Sequence, residues 1–198
     1  MITDPDAALM MAFARGDEKA FRELFAKHQK NIINFCYRFC CNRQVAEELA
    51  QEVFVRVYRA AERYRPDARF STWLYRIAVN VCLNETRKRN FQVKIESIDQ
   101  PVQLGHSEIN RDIEDQESLS PQDVIDAGER ERMIQQAMSA LPEKQRAALL
   151  LRVFNEFSYQ QISRQMEISE ANVKSLIHKG RQRLQELLAG YFKSGNAP

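Results

Sequence analysis

A helical period runs on both sides of a stretch that has none. Upstream, Ala20, Phe21, Leu24, Phe25 and His28 recur at helical spacing, and Val45, Leu49, Val53 and Val57 repeat every four residues. Downstream, Met133, Ile134, Ala137, Met138 and Leu141 form one stripe. Between them, residues 91–127 scatter Ile95, Ile98, Val102, Leu104, Ile109 and Ile113 without a sustained period, and hold nine acids against Lys94 and Arg111. Such a stretch has no face to bury by itself. The chain therefore reads as two helical modules, residues 1–90 and 128–198, joined by an acidic linker over 91–127. Six Gly and six Pro in 198 residues leave few turn formers for a β fold, so an all-α architecture is expected.

Charge sharpens the division. Residues 1–90 hold 16 Lys/Arg and 11 Asp/Glu, residues 91–132 hold 4 and 11, and residues 133–198 hold 9 and 5. A net charge of +2 thus hides a basic, an acidic and a second basic segment, a pattern that suggests two anion-binding modules. The apolar run from Ala7 to Ala14 is far below the ~20 residues that span a bilayer. It follows Asp4 and Asp6 instead of the cations of a signal peptide, so a cytoplasmic chain without membrane insertion is expected. Cys36, Cys40, Cys41 and Cys82 contain no C-x-x-C pair and read as buried thiols. His28 could complete a metal set with them, but the spacing matches no usual zinc pattern. No cofactor is expected.

In the first module, Asp4 or Asp6 caps a helix to about Arg15, and Asp17 caps the next. A turn near Asn42-Arg43 precedes a helix over about 44–62, which Arg65-Pro66-Asp67 ends. Ser71 or Thr72 then caps a helix to about Arg89, with Leu74, Ile77, Ala78 and Val81 inward. On its other face Arg76, Asn80 and Asn84 lie four apart, and Arg87 and Lys88 extend the stripe. Arg can hold phosphates, Asn can clamp an exposed base, and Phe70, Trp73 and Tyr75 at the helix start could stack on unpaired bases. The same stripe is otherwise a solvated face, with Trp73 in the core.

In the second module, Pro142 opens a helix carrying Ala147, Leu150, Leu151 and Phe154. Ser158 and Gln161 form a capping box that starts a short helix ending at Met166. Glu167-Ile168-Ser169 makes a turn, and Ser169 caps a last helix over about 170–188. Ile162, Met166, Ile168, Val173 and Ile177 can form one small core, giving a helix-turn-helix. The second helix then presents Asn172, Lys174, Ser175, His178, Lys179 and Arg181, which can donate to phosphates and base edges in a major groove. Gly180 inside that helix costs about 1 kcal/mol against Ala, and a close approach of a neighbour would account for it. After Gly190 the chain reads as a short tail.

The stretches EELAQEVFVRVYRA (47–60), FSTWLYRIAVNVCLNETRKR (70–89) and LPEKQRAALLLRVFNEFSYQQIS (141–163), followed by the helix-turn-helix, stand in one order. In this the chain resembles the bacterial RNA polymerase sigma factors of the extracytoplasmic-function (ECF) type, within the sigma-70 superfamily. The resemblance implies a sigma region 2-like domain over 1–90 and a region 4-like domain over 128–198. It implies a factor that binds core RNA polymerase, directs it to promoters and assists melting, in a stress or envelope response. By position, Glu48, Gln51, Glu52 and Phe54 fall where the family docks on the clamp helices of the polymerase β′ subunit, and the β subunit is a further expected contact. Phe54 lies off the inner stripe and is expected to face outward. Asn80 falls where a flipped-out base of the minus-ten element is held, flanked by Arg76 and Asn84, with Arg87 and Lys88 beyond. Asn172, Lys174, Ser175, His178, Lys179 and Arg181 fall on the reader of the minus-thirty-five element. Lys174 stands where Arg is common in the family and His178 where an aromatic is common, and Lys lacks the bidentate fork of Arg. An anti-sigma factor is a further implied partner, and the acidic charge of the linker either only keeps a tether extended or places it in a basic channel of the polymerase.

A conventional helix-turn-helix repressor would need a dimer interface or a ligand domain, and residues 1–90 resemble neither. Enzyme activity is not expected. His28, His106 and His178 lie in different segments, and no P-loop, G-x-G-x-x-G or H-E-x-x-H is present.

Overall fold

A computed structural model of the chain describes residues 4–96, 130 and 132–193. Among them every regular element is a helix, apart from one 3-10 turn. Helix α1 spans Pro5–Ala14, α2 Glu18–Cys40, α3 Arg43–Arg59 and α4 Phe70–Glu96, with the 3-10 turn at Ala61–Arg63. Residues 132–139 form α5, followed by α6 (Glu143–Val153), α7 (Tyr159–Met166) and α8 (Glu170–Lys193). The predicted linker beyond Glu96, residues 97–127, lies outside the described residues, as does His106.

Local capping sets most of the boundaries. The Asp4 side chain accepts from the Asp6 amide at 3.1 Å, Asp17 from Lys19 at 3.0 Å, and Asn42 from Val45 at 3.0 Å. Each cap contributes about 1 kcal/mol. Gly16 joins α1 to α2 at φ 102°, open to glycine without strain. Helix α3 stops at Arg59, not near 62, because the chain tightens there into the 3-10 turn.

Helix α4 corrects the sequence reading at both ends. It starts at Phe70, and its cap is neither Ser71 nor Thr72: the Phe70 amide donates to Asp4 Oδ2 at 2.6 Å. Thr72 is buried at 8% exposure. One carboxylate therefore serves the first turns of two helices 66 residues apart. At the other end α4 continues past Arg89 to Glu96, so six residues assigned to the linker are helical.

The α1–α4 core is built from Leu24, Ile32, Phe35, Phe39, Val53, Val57, Phe70 and Leu74, none more than 2% exposed. Each such burial contributes roughly 1.5–3 kcal/mol. Cys36 and Cys82 are buried here with their sulfurs 3.8 Å apart, whereas Cys40 and Cys41 are half-buried. His28 sits against Asp6, Nε2 to Oδ2 at 2.9 Å, and Lys27 Nζ reaches Oδ1 at 2.5 Å. Burial pushes the Asp6 carboxyl up, but these hydrogen bonds and charges outweigh it and hold the group below its ordinary value.

In the second unit Ala137, Met138, Leu141, Ala147, Leu150, Leu151, Ile162, Val173 and Ile177 are buried. Ile134 and Phe154 depart from the predicted stripes, at 49% and 47% exposure. Phe154 is the residue that caps α6, so its ring leaves the helix face and lies under the Arg38 guanidinium, 4.3 Å from centroid to carbon. Gly180 is explained as anticipated. A Cβ there would stand 2.7 Å from Leu149 Cδ1, so α6 and α8 approach over a glycine.

The units are not separate. The end of α2 packs on α6, and α4 packs on α6 and α7. Arg146 Nη1 donates to the Phe39 carbonyl at 2.5 Å, Gln135 donates to Tyr37 Oη at 2.9 Å, and Cys41 Sγ lies 3.5 Å from the Gln135 carbonyl. Tyr75 meets Phe157 edge-on at 5.4 Å.

Candidate nucleic-acid interface

The α4 stripe is presented as a surface. Arg76, Asn80, Asn84, Arg87 and Lys88 are all exposed, while Leu74, Ala78 and Val81 on the other side are buried. The helix start is fixed by an aromatic group: Trp73 lies 4.9 Å from Tyr64 and 5.8 Å from Phe70, and His28 lies 5.4 Å from Phe70. The stacking expectation needs correction here. Phe70 is 1% exposed and Tyr75 6% exposed, so neither offers a face to a base in this arrangement, and only half-buried Trp73 retains one. Tyr75 is held between Phe35, at 5.4 Å, and Phe157. Burial pushes its phenol up, and a hydrogen bond with Asn155 pulls it partly back.

Arg76 has a partner that the sequence did not reveal. Its guanidinium pairs with the carboxylate of Glu167, the left-handed residue that ends α7 at φ 55°.

The helix-turn-helix forms as predicted. The Ser158–Gln161 capping box is closed by both bonds, at 2.8 and 3.2 Å, and Ser169 Oγ accepts from the Asn172 amide at 3.3 Å. Ser163 Oγ donates to the Ile168 carbonyl at 2.5 Å and ties the turn. Asn172, Lys174, Ser175, His178, Lys179 and Arg181 are all exposed on α8. Lys174 Nζ lies 5.7 Å over the Tyr159 ring, which Arg152 also approaches at 5.3 Å. Two donors are thus held over one ring at the mouth of the motif. Gln165 on α7 is 1% exposed, and its amide has no partner among the described residues.

The α3 candidates divide. Glu48 and Gln51 are exposed, and Glu52 is half-exposed in an ion pair with Arg56 at 2.7 Å. The expectation that Phe54 faces outward is not met. It is 6% exposed, with its ring 4.7 Å from that of Phe25. The inner side of α3 is wider than the four-residue stripe, because α2 lays Phe25 across it. The exposed apolar groups nearby are Phe25 at 37%, Val55 at 41% and Tyr58 at 51%. Val55 and Tyr58 follow Glu48 and Gln51 on one helical stripe, a signal present in the sequence and passed over.

Among the described residues no helix is long and apolar enough to cross a membrane. Residues 24–92 match the family Sigma-70 region 2, and residues 131–184 match Sigma-70, region 4. The chain is 32% identical over 176 residues to the ECF RNA polymerase sigma factor SigW of Bacillus subtilis, covering 88% of this chain and 91% of that protein. It is 34% identical over 188 residues to the RNA polymerase sigma-H factor of Pseudomonas aeruginosa, covering 93% and 94%. Its fold matches that of CnrH, solved in complex with the cytosolic domain of CnrY, at TM-score 0.67 and 20% identity over 94% of this chain and 99% of that one. With both regions present, in order, and matched along nearly the whole length of named relatives, the chain belongs to the ECF sigma factors of RNA polymerase.

Proposed function

We propose that this sigma factor divides its work among three exposed faces, within the family's role of binding core polymerase and starting transcription at specific promoters. Arg76, Asn80, Asn84, Arg87 and Lys88 on α4 take the minus-ten element, with Asn80 holding the extruded base. Asn172, Lys174, Ser175, His178, Lys179 and Arg181 on α8 take the minus-thirty-five element. Glu48, Gln51, Val55 and Tyr58 on α3 meet the β′ clamp helices, with Glu52 at the edge and Phe54 supporting Phe25 from beneath. The observation that carries this reading is the exposure of two polar stripes on separate helices of one chain, each backed by a buried core.

The domain limits follow the same division, with the first unit extended to Glu96 by the helical continuation of α4. The acidic linker fits a basic polymerase channel by charge alone. CnrH was solved in complex with the cytosolic domain of CnrY, and the sigma factor RpoE of Bartonella quintana in complex with the anti-sigma factor NepR. An anti-sigma factor is accordingly the partner we assign to this chain, and an envelope or stress signal its trigger.

The experiment is run-off transcription from a randomised promoter library with core polymerase. Lys174→Ala is expected to relax preference at one upstream position by about 1–3 kcal/mol, and Asn84→Ala to act only on the downstream element. Both variants relaxing the same element would overturn the division.

A further inference from the structure

Helix α4 has no local side-chain cap. The residue before it, Arg69, carries only donors on its side chain. The orphan amide of Phe70 is met instead by Asp4 Oδ2 at 2.6 Å, and the other oxygen of that carboxylate accepts from the Asp6 amide at 3.1 Å. Asp6 in turn holds α2, through Lys27 at 2.5 Å and His28 at 2.9 Å. The His28 ring lies 5.4 Å from that of Phe70. Asp4, Asp6, His28 and Phe70 therefore close a ring of contacts that runs through α1, α2 and α4. The ring adjoins the face assigned to the minus-ten element. Phe70 meets Trp73 at 5.8 Å, and Tyr64 meets the two of them at 6.1 and 4.9 Å. Trp73 is half-buried, and exposed Arg76 and Asn80 follow it three and seven residues on, along one side of the helix. The charge of Asp4 reaches this aromatic group: burial, then Asp4, Asp67 and Asp6, push the Tyr64 phenol up to about 12.

We infer that Asp4 is a positioning residue for promoter opening. Through the Phe70 amide it sets where the first turn of α4 stands, and with it the exposure of the Trp73 ring and the reach of Arg76 and Asn80. This rests on the assignment of that stripe to the minus-ten element. The contact is strong for its size, because a carboxylate at a helix start combines a charge-assisted hydrogen bond with the helix dipole. It is also hard to replace. Phe70 is 1% exposed, so water has no ready path to its amide once the carboxylate is gone. Asn80 lies ten residues along α4 from Phe70, about 15 Å, and a helix carries the placement of its first turn over that distance. A side chain 66 residues upstream thus governs a surface it does not belong to.

The test uses the full-length chain in holoenzyme on duplex promoter, below the unfolding temperature of every variant. Asp4→Ala should lower permanganate reactivity of the melted region about five-fold, with core polymerase binding and upstream protection at wild-type values. Trp73 is the only tryptophan of the chain, so its emission in the free chain reports directly on that ring, and in Asp4→Ala it should move to longer wavelength. Two changes should return both readings toward wild type. Asp4→Asn keeps an acceptor oxygen, and Arg69→Ser, added to Asp4→Ala, supplies α4 with a cap of its own. Arg69→Ser alone controls for loss of the arginine, and Asn80→Ala is run in parallel. Normal opening in Asp4→Ala, while Asn80→Ala opens poorly, would overturn the positioning role and leave the minus-ten assignment standing. A loss of opening, core binding and upstream protection together, restored by neither change, would make Asp4 a general fold residue and overturn the role as well. Normal opening in both Asp4→Ala and Asn80→Ala would remove the assignment and the role with it.

Discussion

Helices α4 and α8 carry the same kind of surface and are put together in opposite ways. Helix α8 is prepared locally: Ser158, Gln161, Ser163 and Ser169 close the turn within a dozen residues, and six polar side chains stand open. Helix α4 is positioned from a distance, by Asp4 at its start, by Tyr64 and His28 around its aromatics, and by Phe157 and Glu167 over its outer side. A locally built reader forms whenever its segment folds. One assembled from distant parts depends on the whole bundle, and its accessible face can be changed by moving a neighbour. On the proposed assignment the difference suits the two tasks, since duplex can be read by a preformed helix, whereas holding an extruded base needs a rigid wall.

The comparison is broken most readily at the bundle that supports α4. Phe54→Ala removes a buried ring from the α2–α3 contact and should cost about 3–5 kcal/mol of stability, measured by denaturant unfolding. Tyr58→Ala removes a half-exposed ring that also touches Phe13 and Phe21, so it should cost only about 1 kcal/mol of stability while weakening core polymerase binding by about 2 kcal/mol. If the two variants exchange these effects, Phe54 is the docking group and the packing account of α3 is wrong.

The readers themselves come next. Asn80→Ala should reduce open-complex formation, followed by permanganate reactivity, by about 1–3 kcal/mol, or roughly 5- to 150-fold, with core binding unchanged. Lys179→Ala should lower upstream affinity on all sequences alike and flatten the salt slope of log K by about 0.9 if it holds one phosphate. A sequence-specific loss at Lys179 would make it a base reader.

A smaller effect tests the local build of α8. Gly180→Ala gains about 1 kcal/mol of helix propensity. The added methyl meets the buried Leu149 side chain at 2.7 Å, and overpacking costs about 1–3 kcal/mol. The balance should be a net loss near 1 kcal/mol in thermal unfolding. A stabilised variant would show that α6 and α8 can move apart freely.

The smallest effect at neutral pH lies at Asp6, whose charge ties α1 to α2. Because its folded-state value is held below the ordinary carboxylate value, its contribution is fully present above the unfolded pKa of about 3.9 and is lost as pH falls through the folded value. Stability should therefore drop below about pH 4, and Asp6→Asn should be less stable at pH 7 with a shallower acid slope. An unchanged acid profile would place the cause elsewhere.

These contrasts also mark what the sequence made legible. Caps at Asp17, Ser158 and Ser169 are local hydrogen bonds, so spacing alone located them, whereas it left Asp4 or Asp6 open for α1 and marked only a turn at Asn42. Gly180 was half readable: a glycine inside a helix is compatible with a close approach, but only the packing of α6 names Leu149 as the neighbour. The cap of α4 was not readable, since Asp4 reaches it through space and Ser71-Thr72 offered a nearer decoy. Phe54 misled because a four-residue stripe underestimates a helix buried by two neighbours. Tyr75 and Arg76 looked free because nothing in α4 announces a partner 80 to 91 residues away. Interdomain contacts leave little periodic trace, and at Tyr75 and Arg76 that is where the expectations failed.

The central claim is that one chain reads two promoter elements with two separate helices and opens the DNA at one of them. Footprinting the holoenzyme on a promoter mapped with this chain tests it directly, using nuclease protection and permanganate on the same complex. Two protected segments about two helical turns apart, ~70 Å, should appear, with reactive thymines only at the downstream one. A single protected segment, or two without reactive thymines at any temperature that supports transcription, would contradict it.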